Sequence, residues 1–144
     1  MFKTYSFADV DVTVSHPNVG NYTLNGEGIG SIGVNMANDR TSHDVAADGT
    51  VMVSKIKTRN GSIPLSVQQT SSIHRWLLKW ANYLEASPAS EYAKTVLIVR
   101  SKSTGETTTC HGVTPQKISD KVYQAQGQNV SWNLMAADIQ NDLV

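Results

Sequence analysis

Apolar and polar residues alternate along most of this chain. Ala8, Val10, Val12 and Val14 interleave with Asp9, Asp11, Thr13 and Ser15, and Ile32, Val34 and Met36 with Gly33, Asn35 and Ala37. Val51 and Val53 begin a further run that reaches Ile56. Ile63, Leu65 and Val67 alternate with Ser62, Pro64, Ser66 and Gln68, while Val130, Trp132, Leu134 and Ala136 alternate with Ser131, Asn133, Met135 and Ala137. A period of two predicts a strand with one buried face in each case. The run TVLIVR, 95–100, is apolar without alternation and predicts a strand covered on both faces. Asp48-Gly49, Asn60-Gly61 and Thr104-Gly105 mark turns between these runs. Pro64 inside a strand pattern predicts an edge or a bulge there.

One segment changes period. From Ser72 to Ala86, the residues Ile73, Trp76, Leu77, Trp80 and Leu84 recur at helical spacing, with Arg75, Lys79 and Asn82 on other faces. Ser71 or Ser72 caps the start and Ser87-Pro88 stops the helix. No internal repeat, low-complexity tract or linker divides the chain. The pattern predicts a single mainly-β domain over 1–144, with one amphipathic helix at about 72–86 laid against a sheet.

Composition narrows the function classes. Twelve basic and twelve acidic residues give zero formal charge over 144 residues. A chain that grips nucleic acid by its phosphates carries a basic excess, which is missing here. Zero net charge also removes a brake on self-association. The single cysteine, Cys110, allows no intrachain disulfide and no Cys-based zinc set, and implies synthesis in a reducing compartment. The N-terminal residues MFKTYSFADVDV lack the long apolar run of a signal peptide, and no stretch of eighteen apolar residues predicts a membrane span.

Candidate chemistry is sparse. GIGSIG, 28–33, has dinucleotide-fingerprint spacing, but its glycines lead into a strand, so no helix N-terminus faces a pyrophosphate. Glycines that let a strand bulge or pack closely are the better reading. Cys110-His111 sits on a strand, where neighbours point to opposite faces, and reads as a buried thiol beside a surface imidazole. His16, before Pro17, and His74, on the helix, show no metal spacing. The run ANDRTSHDVAADG, 37–49, gathers Asp39, Arg40, His43, Asp44 and Asp48, yet no Glu follows at calcium-loop spacing. It reads as a solvated connection between strands. No catalytic residue, cofactor site or metal site is expected.

The strings YSFADVDVTVSHP, GEGIGSI, ANDRTSHDVAADGTVMVSKI, WLLKWANYL and TPQKISDKVYQAQGQNVSWNLMAADIQ resemble, in this order, tail tube proteins of contractile-tailed bacteriophages. The likeness runs from Tyr5 to about Asp138. It implies a non-enzymatic virion protein, assembled in the host bacterial cytoplasm. Six copies form a ring, and rings stack into an inner tail tube inside a contractile sheath. The implied subunit is a β-sandwich or open barrel with the helix outside, and the ring closes a lumenal β-barrel. Implied partners are further copies of the chain, the sheath, baseplate and terminator proteins, the tape measure protein, and phage DNA in transit without specific binding. Ser62, Ser66, Gln68, Ser131 and Asn133, with Asp9 and Asp11, are the expected lumen-facing residues. Arg75 and Lys79 are expected toward the sheath. The charged run 37–49 is expected to reach the neighbouring subunit or the next ring, Arg40 of one copy pairing with Asp44 or Asp48 of another. The alternatives are an accessory virion protein for decoration or tail completion, and the tube of a phage-tail-like bacteriocin particle.

Overall fold

The computed structural model describes residues 2–24 and 28–143; residues 1, 25–27 and 144, which include the start of the GEGIGSI string, lie outside the described residues. A 3-10 turn, Phe7–Asp9, leads into β1 (Val10–His16). Then come β2 (Gly20–Leu24), β3 (Ile29–Ile32), β4 (Asn35–Met36), β5 (Thr41–Val45), β6 (Val51–Lys55) and β7 (Gly61–Gln68). The helix α1 spans Ser72–Ala86, as its periodicity predicts, and a short α2 (Ala89–Tyr92) follows. The chain ends in β8 (Thr95–Ser101), β9 (Glu106–Pro115), β10 (Asn129–Ala136) and β11 (Asp138–Leu143).

Nine strands form one antiparallel sheet: seven follow the path β2-β1-β8-β9-β10-β7-β3, while β11 pairs with β9 and β4 with β7 off that path. The long β9 belongs to both halves. Its first part lies between β8 and β11, and its last residues, Thr114 and Pro115, pair with β10. The register slips between Thr95 and Val96, opposite Gly112 at φ +65°. A Cβ at Gly112 would sit 2.8 Å from Cβ of Ala137, so only glycine fits this bend. The β2-β1-β8-β9-β11 half supplies Val12, Val14, Leu97, Cys110 and Ile139 to the core. The β10-β7-β3/β4 half supplies Trp132, Leu134, Ile63, Leu65 and Val67 to the same core.

The helix α1 completes that core. Ser71 caps it, its hydroxyl accepting from the His74 amide at 3.4 Å. Ile73, Leu77, Trp80 and Leu84 are fully buried, as expected, while Trp76 is only half-buried and stacks on Trp80 at 6.0 Å. His74 and Ala81 are buried beside them. The indole N–H of Trp80 donates to the Thr95 hydroxyl at 2.7 Å, tying the helix to β8.

Several expectations need correction. Ala8 and Asp9 lie in the 3-10 turn, not in a strand. Pro64 is inside β7, which is paired on both sides. Its missing N–H falls where β3 gives way to β4: the Pro64 carbonyl accepts from Gly33 at 2.9 Å, and an N–H beside it would face that gap. The β8 strand is buried on one face only; Val96 and Ile98 on the other are half-exposed among polar neighbours. Asn60-Gly61 is not a tight turn. Gly61 opens β7, and a Cβ there would collide with the Asn35 carbonyl oxygen and lie 2.7 Å from Ile139 Cδ1. Finally, residues 37–49 are more than a connection, because they contain β5, and β6 is exposed throughout instead of half-buried.

Candidate functional site

The exposed pair β5–β6 forms a two-stranded ribbon separate from the nine-stranded sheet. Asp48-Gly49 makes its turn, as the dipeptide predicts. Gly49 takes φ +90° and donates to the Ala46 carbonyl at 2.9 Å. The Asp48 carboxylate accepts from the Thr50 amide at 3.0 Å, and that bond holds its pKa below the usual carboxylate value. Asp48 therefore serves its own turn first. Ile56 N–H donates to the Arg40 carbonyl at 2.9 Å and pinches the ribbon shut at its base. Arg59 then anchors the return strand to β11, its guanidinium meeting the Asp138 carboxylate at 2.8 and 3.3 Å.

Register decides what the ribbon presents. Thr41, His43 and Val45 face Lys55, Val53 and Val51, and Ser42 and Asp44 face Ser54 and Met52. His43 and Asp44 thus point to opposite faces. Among the described residues, no three His, Cys, Asp or Glu side chains come together as metal ligands. One face of the ribbon instead carries Val45, Val51 and Val53, at 65%, 48% and 63% exposure. Sequence reasoning missed this patch. The Val-x-Val alternation was its signal, once Val45 is folded back opposite Val51 by the Asp48-Gly49 turn.

The expected lumen-facing residues separate into two groups. Ser62, Ser66, Gln68, Ser131 and Asn133 share the outward face of β7 and β10, where Ser131 pairs with Ser66 and Asn133 with Pro64. Small uncharged polar groups dominate this face. Asp11 lies on the outward face of the other half, opposite Arg100 and 3.2 Å from Lys102 Nζ. Asp9 is in the turn before β1, its carbonyl accepting from the Lys102 amide at 2.9 Å. The two aspartates are thus not part of the β7–β10 surface. Arg75 and Lys79 are exposed on α1. The helix lies on the core side of β7 and meets β10 through His74 and Trp132, opposite the serine-rich face.

His74 links these layers. It is 7% exposed, and its Nδ1 accepts the indole N–H of Trp132 at 3.1 Å. Burial, then the nearby Lys121 charge, holds its pKa below 6.5. An unfolded chain binds that proton more readily, so the associated stability is complete above about pH 6.5 and is lost as pH falls toward the folded-state pKa. Melting temperature is expected to drop between pH 7 and 5, and His74→Gln to flatten that slope; an unchanged slope would remove His74 as its source. His16 also proves buried, its Nδ1 accepting from the Asn18 amide and its Nε2 donating to the Glu91 carbonyl, both at 3.1 Å. Cys110 is buried, as read, which pushes its thiol up to about 11, and His111 is exposed.

An open sandwich with an outlying ribbon and two polar faces provides surfaces for other chains. Comparison with known families is decisive: the profile of the bacteriophage PhiTE tail tube protein family matches residues 2–144. The chain belongs to this tail tube family. No curated protein matches it in sequence. In fold, this tail tube protein is similar to a chain from the 6-fold symmetrised baseplate of the anti-feeding prophage, at TM-score 0.63 and 14% identity over 100% of this chain and 99% of that one. It is also similar to chains from two structures of the PVC extracellular contractile injection system in the extended state. The sheath/tube terminator gives TM-score 0.62 and 12% identity over 98% of each chain. The sheath-tube complex gives 0.55 and 13% over 92% of this chain and 88% of that one. The tail tube protein is a structural component of the virion and not an enzyme. None of its described helices is long and apolar enough to cross a membrane.

Proposed function

We propose that this tail tube protein forms hexameric rings that stack into the inner tube of a contractile tail, with sheath outside and DNA passing through the bore. The ribbon carries the argument. Val45, Val51 and Val53 form an apolar face that their own subunit leaves uncovered, and a neighbouring copy is the natural cover. On this reading β6 has the half-buried pattern of an assembled strand. Arg40 of one copy pairs with Asp44 of another, since Asp48 is already committed to its turn. Such pairs set register more than affinity.

The uncharged β7–β10 face supplies the lumen. Phosphates passing such a wall find few cations to hold them. Three to four strands from each of six copies, spaced by ~4.8 Å, give a circumference of roughly 85–115 Å and a backbone diameter of about 27–37 Å, before strand tilt widens it. That bore accommodates a tape measure protein during assembly and a DNA duplex later. The opposite side, with Arg75 and Lys79 on α1, then faces the sheath, while baseplate and terminator proteins meet the tube ends.

Micrographs of purified protein are expected to show tubes of uniform bore, and gold bound through Asn133→Cys to lie inside them. Protein that stays monomeric even with baseplate components defeats the reading, and gold on the outer wall defeats the lumen assignment. Joint charge reversal at Arg75 and Lys79 is expected to strip the sheath; sheath that still assembles counts against that contact. Fold likeness to a chain of the sheath/tube terminator structure favours one second reading, an end-cap. Copies per virion separate the two: many along the tail, or one ring at its end.

A further inference from the structure

We infer that residues 2–6 of one copy act as a tether whose aromatic side chains seat in a groove on the next copy along the stack. This rests on the self-assembly reading above and names a contact within it.

The tether carries two aromatic side chains with nothing to hold. Phe2 is 100% exposed and Tyr5 71%. Residues 2–5 make no hydrogen bond or ion pair with any described residue; only from Ser6 onward is the chain tied down, Ser6 accepting from Ala8 and Asp9. The family match includes these residues, so they belong to the tail tube domain.

A groove of about 760 Å³ lies at the opposite end of the subunit, between the end of α1, α2 and the residues that follow β9. Ala81, Leu84, Ala89, Tyr92, Pro115 and Ile118 line it. Tyr92 and Ile118 are each 41% exposed, so part of the lining is unpartnered apolar surface. Glu85 sits at its edge, with no ion-pair partner among the described residues, while the neighbouring Lys117 already meets Asp120 at 3.4 Å. Lys3, between the two tether aromatics, is the complementary charge.

Position determines which copy supplies the tether. The tether leaves at the Val10–Ser101 end of β1, and the groove lies by His16 and Thr95 at the other end. Seven strand residues separate those ends by about 20 Å. Tyr5, one residue beyond Ser6, reaches at most roughly 10 Å with its side chain, so the two aromatics cannot both seat in their own groove. A copy displaced along the strand direction brings its tether to it. Such a head-to-tail contact does not close on itself, and so repeats along a stack.

Two aromatic anchors leaving water are expected to matter: removing residues 2–5, which keeps the Ser6 cap, raises the concentration needed for tube growth by about tenfold or more, leaving monomer melting unchanged. In the Tyr5→Cys, Ile118→Cys double variant, mild oxidation of assembled tubes is expected to yield a ladder of covalently linked copies. Bridges confined within single chains, or none, overturn the tether, as do normal tubes from the shortened chain. Failure of the wild-type protein to form tubes counts against the assembly reading itself, and so is told apart from failure of the tether.

Discussion

Excising residues 41–55 and joining Arg40 to Ile56 through an Asn-Gly turn is expected to abolish tube formation while leaving a folded monomer. The fold tolerates the cut because the ribbon contributes no residue to the buried core, and its base is already closed by the bond from Ile56 N–H to the Arg40 carbonyl. Loss of the three exposed valines removes apolar area that the assembly would otherwise bury, at ~25 cal/mol for each Å². Circular dichroism and calorimetry check the fold, and sedimentation with electron microscopy checks assembly. Tubes of normal length from the shortened chain would show that the ribbon is dispensable. Arg40→Glu is expected to act in the same direction but more weakly, since an exposed ion pair contributes about 1 kcal/mol or less.

Trp132→Ala is expected to cost about 3–5 kcal/mol of folding stability. Trp132 is wholly buried in β10, and its indole N–H is the partner of His74 on α1. The substitution therefore opens a cavity and orphans a buried acceptor together. Against a total of about 5–15 kcal/mol for a domain of this size, it removes a large fraction. Urea denaturation reads the loss directly. A change under about 1 kcal/mol would mean that α1 re-seats over the gap and that the Trp132–His74 contact is incidental. Trp132→Phe keeps most of the volume and is expected to fall between the two proteins, separating the cavity from the lost hydrogen bond.

Much of this fold can be read along the chain because its driving term is local. Alternation in 61–68 and 129–136 reports which face is buried, and the Ile73–Leu77–Trp80–Leu84 spacing gives α1 to the residue. What eludes such reading depends on contacts far along the chain. Pro64 looks like an edge residue, since nothing near it in sequence reveals the break between β3 and β4 opposite it. His74 shows in the sequence only as a helix histidine without metal spacing, and its role appears once Trp132, 58 residues away, is placed beside it. Asp9 and Asp11 look equivalent to Ser66 and Asn133, because alternation shows that a face is polar and not which sheet half carries it. Residues 41–45 hide a strand because charges and hydroxyls fill it, and the cross-strand valines that favour pairing lie beyond a turn. The proposed assembly surface is suggested only by resemblance, since a face buried between copies has the same pattern as one buried within a chain.

The ribbon joins its subunit through two short segments, one tied by the Ala37 amide to the Asn60 carbonyl and the other anchored at Arg59–Asp138, which makes it a lever. Its five-residue strands reach about 17 Å from that joint. Rocking it by roughly 10° therefore moves the tip by about 3 Å, less than the ~4.8 Å that separates paired strands. A filament fastened at its joints by such levers curves by many small rotations while every contact keeps its partner. On the proposed assembly, bending is then taken up at this hinge, beside the Arg59–Asp138 pair, and not in the sheets.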